Sequence, residues 1–162
     1  MDGGQLIEAA RILDEIVPSG AHLVTDYGGV MGYYTDAAVI EMWGLANATI
    51  ATRGNTDGVW PFYGRTCPSC YPELHPNYFH VTQPLVRSDS AFSSADEVIA
   101  NVWQTNTIGR YIDFKATFAV GRAVLPQSNR ALYFLQRRDA GFTPARRTTK
   151  RGIVVDYPFE PG

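Results

Sequence analysis

Asp26-Tyr27-Gly28-Gly29-Val30-Met31-Gly32-Tyr33-Tyr34-Thr35, with Val39-Ile40-Glu41 and Gly44-Leu45 close behind, decides the fold. The stretch reads as a strand end, a glycine-rich turn, a short helix, a second strand and a glycine turn. Few folds need so much backbone latitude in so short a span. Just upstream, Ala21 to Thr25 is short and mostly apolar, which predicts a buried strand. Before it, Leu6, Ala9, Ala10, Leu13 and Ile16 recur at helical spacing opposite Glu8, Arg11 and Asp14, and Pro18-Ser19-Gly20 ends the run. Ala37 to Met42 is the second strand, and Asn47 to Ala51 starts another helix.

Farther along, residues 54–77 read as a long loop. Gly54, Gly58 and four prolines (Pro61, Pro68, Pro72 and Pro76) discourage both helix and central strand. Tyr78 to Thr82 predicts a strand. A helix follows from Ser93 or Ser94 to about Trp103, with Asp96 and Glu97 in the first turn, where the helix dipole favours acids. Tyr111 to Val120 and Ala131 to Gln136 read as strands, and Ile153 to Val155 as a last edge strand. Alternating elements early and strands late predict an α/β or α+β fold: a single-domain layered sandwich with a mixed sheet and an N-terminal β-turn-α-β unit. The expected domain covers residues 1–145, with a basic, then acidic, tail over 146–162.

Composition narrows the function classes. At 162 residues, 45% of them hydrophobic and 19% charged, the chain is long enough to bury a core and too apolar to be disordered. A formal net charge of −2 supplies no whole-protein field for nucleic acid or an acidic membrane. No apolar run approaches the roughly 18–20 residues of a membrane span. Met1-Asp2-Gly3-Gly4 lacks the basic and apolar regions of a signal peptide, so the chain as given is expected to be soluble.

The opening resembles the extracytoplasmic soluble domains of GT-C type membrane glycosyltransferases, which include arabinofuranosyltransferases and protein mannosyltransferase-like enzymes. The residues that carry the resemblance are Leu13 to Pro18, Ala21-His22-Leu23-Val24, Asp26, Gly28-Gly29, Tyr33-Tyr34, Val39-Ile40-Glu41, Gly44-Leu45 and Ile50-Ala51. His75-Pro76-Asn77-Tyr78 and Tyr133-Phe134-Leu135-Gln136-Arg137-Arg138 are similar to later parts of such domains. Two departures stand out. The acid after the second strand is commonly Asp and is Glu41 here, and the membrane helices that carry the acidic catalytic loops are not in this sequence. The resemblance therefore implies an accessory domain on the extracytoplasmic face and no catalytic residue. Its implied partners are a carbohydrate or cell-wall glycan and a membrane-embedded domain of the same or a partner protein.

Several residues carry candidate chemistry. Asp26, Asp36 and Glu41 sit near strand ends, where active and binding sites of α/β units collect. The glycines after Asp26 match neither G-x-G-x-x-G nor a P-loop and read as a tight turn, with Asp26 as an N-cap or a partner for a nearby amide. Trp43, Trp60, Phe62, Tyr63 and Tyr71 surround the long loop. They form either a sugar-stacking surface, with Trp43, Trp60 and Tyr63 as its ligand-binding rings, or a satellite core. Cys67-Pro68-Ser69-Cys70 with His75 and His80 has the donors of a closed structural zinc site; the alternatives are a Cys67–Cys70 disulfide and free thiols. Arg137, Arg138, Arg146, Arg147, Lys150 and Arg151 form a basic stretch. It suits anionic lipid or nucleic acid phosphates, or is simply a solvated tail. No nucleophile–base–orienter set is legible.

The expected function is thus a noncatalytic accessory domain that binds acceptor glycan or a partner and requires no cofactor. The alternative is a small zinc-containing interaction module built on Cys67, Cys70, His75 and His80, binding nucleic acid through the basic stretch.

Overall fold

The computed structural model describes residues 3–54, 67–80, 86–87, 92, 95–101, 108–125, 128–139 and 145–158. Helix α1 (Gly3–Ile16) forms on its apolar stripe, and Ala9, Ala10, Ile12, Leu13 and Ile16 are all buried. The chain then enters β1 (His22–Thr25), crosses through α2 (Gly28–Tyr34) and returns as β2 (Ala38–Glu41). β1 and β2 pair in parallel, with His22 opposite Ala38 and Thr25 opposite Glu41. The N-terminal unit is therefore β-α-β, as its glycine spacing predicts.

α3 (Ala48–Arg53) and α4 (Tyr71–Leu74) lead to β3 (Tyr78–His80), which pairs in parallel with the other side of β1. The two-residue β4 (Val86–Arg87), α5 (Ala95–Asn101) and α6 (Phe114–Thr117) precede four longer strands. These are β5 (Phe118–Leu125), β6 (Arg130–Arg137), β7 (Ala145–Thr148) and β8 (Val154–Tyr157). The sheet runs β2-β1-β3-β6-β5-β8-β7, and β4 also pairs with β6. Its first three strands are parallel, and the pairs from β3–β6 onward are antiparallel. The fold is a mixed α/β sandwich.

Strand periodicity divides the core in two. Leu23, Tyr78, Phe134, Ala123 and Val155 face α1 and Met31 of α2. Val24, Phe79, Leu135 and Val120 face Ile50 of α3, Tyr71 of α4, Val98 of α5 and Phe114 of α6. Phe79 touches Phe114 and Phe118 edge to face, with ring centroids 5.2 Å apart in each pair. Arg11 of α1 lies over the Tyr34 ring of α2 at 5.3 Å and joins the two helices of one layer.

The structure departs from the sequence expectations in three places. The strand expected from Tyr111 begins only at Phe118, because Asp113 caps a helical turn by accepting the Ala116 amide at 3.0 Å. Within the expected loop, residues 68–74 form a 3₁₀ turn and α4. Pro68 and Pro72 stand at first-turn positions, where a missing N–H removes no internal bond. The other loop residues, 55–66, lie outside the described residues, as do parts of the expected strand at 81–82 and helix at 93–94 and 102–103. Finally, the strand near Ile153 is not an edge: β8 lies between β5 and β7, so residues expected as a tail complete the sheet.

Candidate functional site

Three parallel strands end side by side at Glu41, Thr25 and His80. The chain leaves β1 through α2 toward β2, then passes through α3 and α4 to reach β3 on the opposite side of β1. The strand order thus reverses at β1, and ligands of open α/β sheets enter the crevice outside the carboxyl ends at such a reversal. A cleft of about 420 Å³ lies beside that reversal, at the carboxyl ends of β1 and β2, lined by Asp26, Tyr27, Gly28, Val30, Glu41 and Leu45 together with Leu6 of α1.

The two carboxylates in this cleft have different surroundings. Glu41 is buried, and both its oxygens are engaged: the Trp43 amide donates to Oε1 at 2.8 Å and the Leu45 amide to Oε2 at 2.7 Å. Its aliphatic stem packs on Gly28, where an added Cβ would meet Glu41 Cγ at 2.4 Å. Gly44 follows with φ +72, a left-handed conformation that carries the loop back over Ile50 and Ala51. Glu41 therefore ties down the loop after β2.

Asp26 keeps one oxygen bare. Its Oδ1 is buried without a hydrogen-bond partner. Burial pushes the carboxyl up to about 6, its own backbone amide pulls it partly back, and the Glu41 charge adds to the rise. Asp26 is not the N-cap of α2. Tyr27 holds that position, and the Tyr27 amide donates to Thr25 Oγ1 at 3.1 Å.

His80 closes the third strand end. It is fully buried, and its Nδ1 lies 3.4 Å from Thr25 Oγ1. Its Nε2 has no partner, and its ring tilts against Tyr27 with centroids 6.0 Å apart. Burial lowers its pKa to about 4, so the ring is neutral at ordinary pH.

The expected site residues separate accordingly. Asp26 and Glu41 come together, whereas exposed Asp36 precedes β2 at the opposite end of that strand, about 16 Å of extended chain from Glu41. The Asp36 amide donates to Asp14 Oδ1 at 3.1 Å, an α1–β2 tie. Trp43 packs partly buried against the α3–α6 core and Tyr71 lies inside it, so both act as core. Trp60 and Tyr63 lie outside the described residues. Cys67 and Cys70 are joined in a disulfide, so neither sulfur is a thiolate. His75 is exposed in a left-handed turn after α4, apart from buried His80. Among the described residues no group of three or more His, Cys, Asp or Glu could hold a metal ion.

Sequence reasoning missed Tyr27 in the lining of the cleft and Thr25, buried beneath it, which accepts the Tyr27 amide and meets His80. The available signal was the hydroxyl at the last position of β1, beside the strand that ends in His80.

The chain belongs to the family DUF8728, a domain of unknown function, whose profile matches residues 2–134. No curated protein and no solved structure matches it. No helix among the described residues is long and apolar enough to cross a membrane.

Proposed function

We propose that this domain is a noncatalytic module that binds an acceptor glycan beside a membrane-embedded glycosyltransferase domain, in the manner its opening sequence resembles. The observation that carries this reading is the contrast at the cleft. Glu41 spends both oxygens on backbone amides, while Asp26, half-buried in the lining of an open cleft, keeps its buried Oδ1 without a hydrogen-bond partner. A carboxylate of that kind accepts hydroxyl donors, and Leu6, Val30 and Leu45 offer apolar contact to the C–H face of a sugar ring. Leu45 is 77% exposed, so this rim is open to a chain-like ligand. The Cys67–Cys70 disulfide suits an oxidising compartment, in keeping with the extracytoplasmic face.

Amide NMR titration with cell-wall oligosaccharides tests the proposal. Shifts are expected at Asp26 to Val30 and at Trp43 to Leu45, and Asp26→Ala should abolish them. Affinity should fall as pH drops through about 6, where Asp26 takes up its proton. No shift at millimolar ligand around Asp26 and Leu45 removes the reading.

A further inference from the structure

The densest charge in the molecule runs from the end of β6, in mid-sheet, to the β7 edge opposite the cleft. Arg137, Arg138, Arg146, Arg147, Lys150 and Arg151 face a single acid, Asp139, within 137–151, in a chain whose formal net charge is −2; the remainder carries −7. These cations fall on the end of β6, on β7 and on the β7–β8 turn. At β7 and its turn the acids that pair with them are recessed and the cations project, whereas Asp139 is the exposed partner of Arg137 near β6. Asp156 is 20% exposed and takes Arg122 at 2.9 Å and Arg146 at 3.4 Å, yet the Arg146 side chain is 77% exposed. Glu15 is 18% exposed and takes Arg151 at 3.5 Å, with Arg151 half in solvent. Arg138, Arg147 and Lys150 are exposed as well. At β7 and the β7–β8 turn the surface presented to solvent is therefore positive even where the pairs are neutral.

We propose that this edge, formed by β7 and the β7–β8 turn, docks on the surface of an anionic lipid bilayer. Strand alternation sends Arg146 toward the Asp156 side of the sheet and Arg147 toward the other, so cations flank both sides of one exposed edge. That is how a sheet edge meets a plane. A nucleic acid long enough to run past the hairpin would meet the net-negative remainder of the chain, whereas a flat bilayer touches the edge alone. In this pose the Asp26 cleft, near the β1–β2 edge, stands off from the headgroups by up to six strand spacings, about 29 Å. The inference extends the placement beside a membrane and does not depend on the glycan reading, because vesicle binding and oligosaccharide titration report on opposite edges.

Flotation of the full chain with vesicles tests it, using phosphatidylcholine alone and phosphatidylcholine with about 30% phosphatidylglycerol. Binding is expected only to the anionic vesicles, falling steeply as added salt shortens the Debye length. Arg147→Gln and Lys150→Gln lie outside the Asp156 and Glu15 pairs, and each should weaken binding about fivefold. Arg53→Gln, in the α3 layer and outside the basic edge, should bind vesicles as the parent does. Thermal melts establish that each variant is folded. Failure to float with anionic vesicles, equal flotation with neutral ones, or undiminished binding by both glutamine variants would overturn the proposal. So would tighter binding to duplex DNA at matched phosphate concentration, which would assign the edge to nucleic acid.

Discussion

Replacing Glu41 by Gln separates a structural role for this carboxylate from a ligand-binding one. Gln fills the same space and keeps one carbonyl oxygen, so one of the Trp43 and Leu45 amides retains an acceptor. The other meets an –NH₂ group and loses a charge-assisted bond of 2.7 or 2.8 Å. Hydrogen bonds to charged groups contribute about 1.5–3 kcal/mol, and leaving a buried donor unmet adds to the loss, so Glu41→Gln should destabilise by about 2–4 kcal/mol. For a chain of this length each kcal/mol moves Tm by about 2–4 °C, which gives a drop of about 4–16 °C. Glu41→Ala should fall further, because it strips both acceptors and the stem that packs on Gly28. Differential scanning calorimetry reads the drop, and amide exchange at Trp43 and Leu45 localises it. A Tm within about 1 °C of the parent, with unchanged exchange at those two amides, would refute the capping role, since an effect of even 1 kcal/mol is larger than that.

Asp26 and His80 carry opposite pH linkages. His80, lowered to about 4, contributes stability that is full above its ordinary 6.5 and lost as pH falls toward 4; Asp26, raised to about 6, penalises the fold as pH rises from 3.8 through 6. Each linkage is worth up to about 3 kcal/mol, so they offset in the parent: urea melts of Asp26→Asn should show a steep loss between pH 6.5 and 4, and those of His80→Gln a gain, while parallel profiles would disprove both assignments. Gly121→Ala places a Cβ 2.1 Å from Phe134 Cζ in the centre of the β5–β6 pair, and chemical denaturation should record a loss of about 1–3 kcal/mol or more, partly relieved by Phe134→Leu.

Legibility in the sequence followed the range of the interactions. α1 and the β1-α2-β2 unit were readable because their periodicity and glycine punctuation are local, and Asn47 announced α3 by the cap it makes to Ile50 at 3.0 Å. The region 111–117 misled because Tyr111, Ile112 and Phe114 look like strand residues. A single Asp113 cap outweighs that propensity there. The place of β8 was illegible for a different reason. Nothing near Ile153 reveals that β5 accepts it on one side and β7 on the other, since strand neighbours are chosen by long-range pairing. The basic stretch likewise reads as a tail until Asp156 is seen to bind Arg122 and Arg146 across three strands.

The cleft shows why carboxylates near strand ends cannot be sorted from sequence alone. Asp26 and Glu41 are chemically alike and follow parallel neighbouring strands, yet one side-chain carbon separates their fates. The longer Glu41 lies flat over Gly28 and reaches two amides of the next turn; the shorter Asp26 cannot, and the hydroxyl of Thr25 has already taken the Tyr27 amide it might have capped. An unpartnered buried oxygen is costly to keep, and the fold keeps it at the one end of the sheet where the strand order reverses. If Asp26 served stability alone, Asn should fit better at neutral pH, because it removes the desolvated charge without changing shape. A stabilised Asp26→Asn variant that no longer binds oligosaccharide is thus the signature of a residue held for its ligand, and a stabilised variant that binds as well as the parent assigns the cleft no part in recognition.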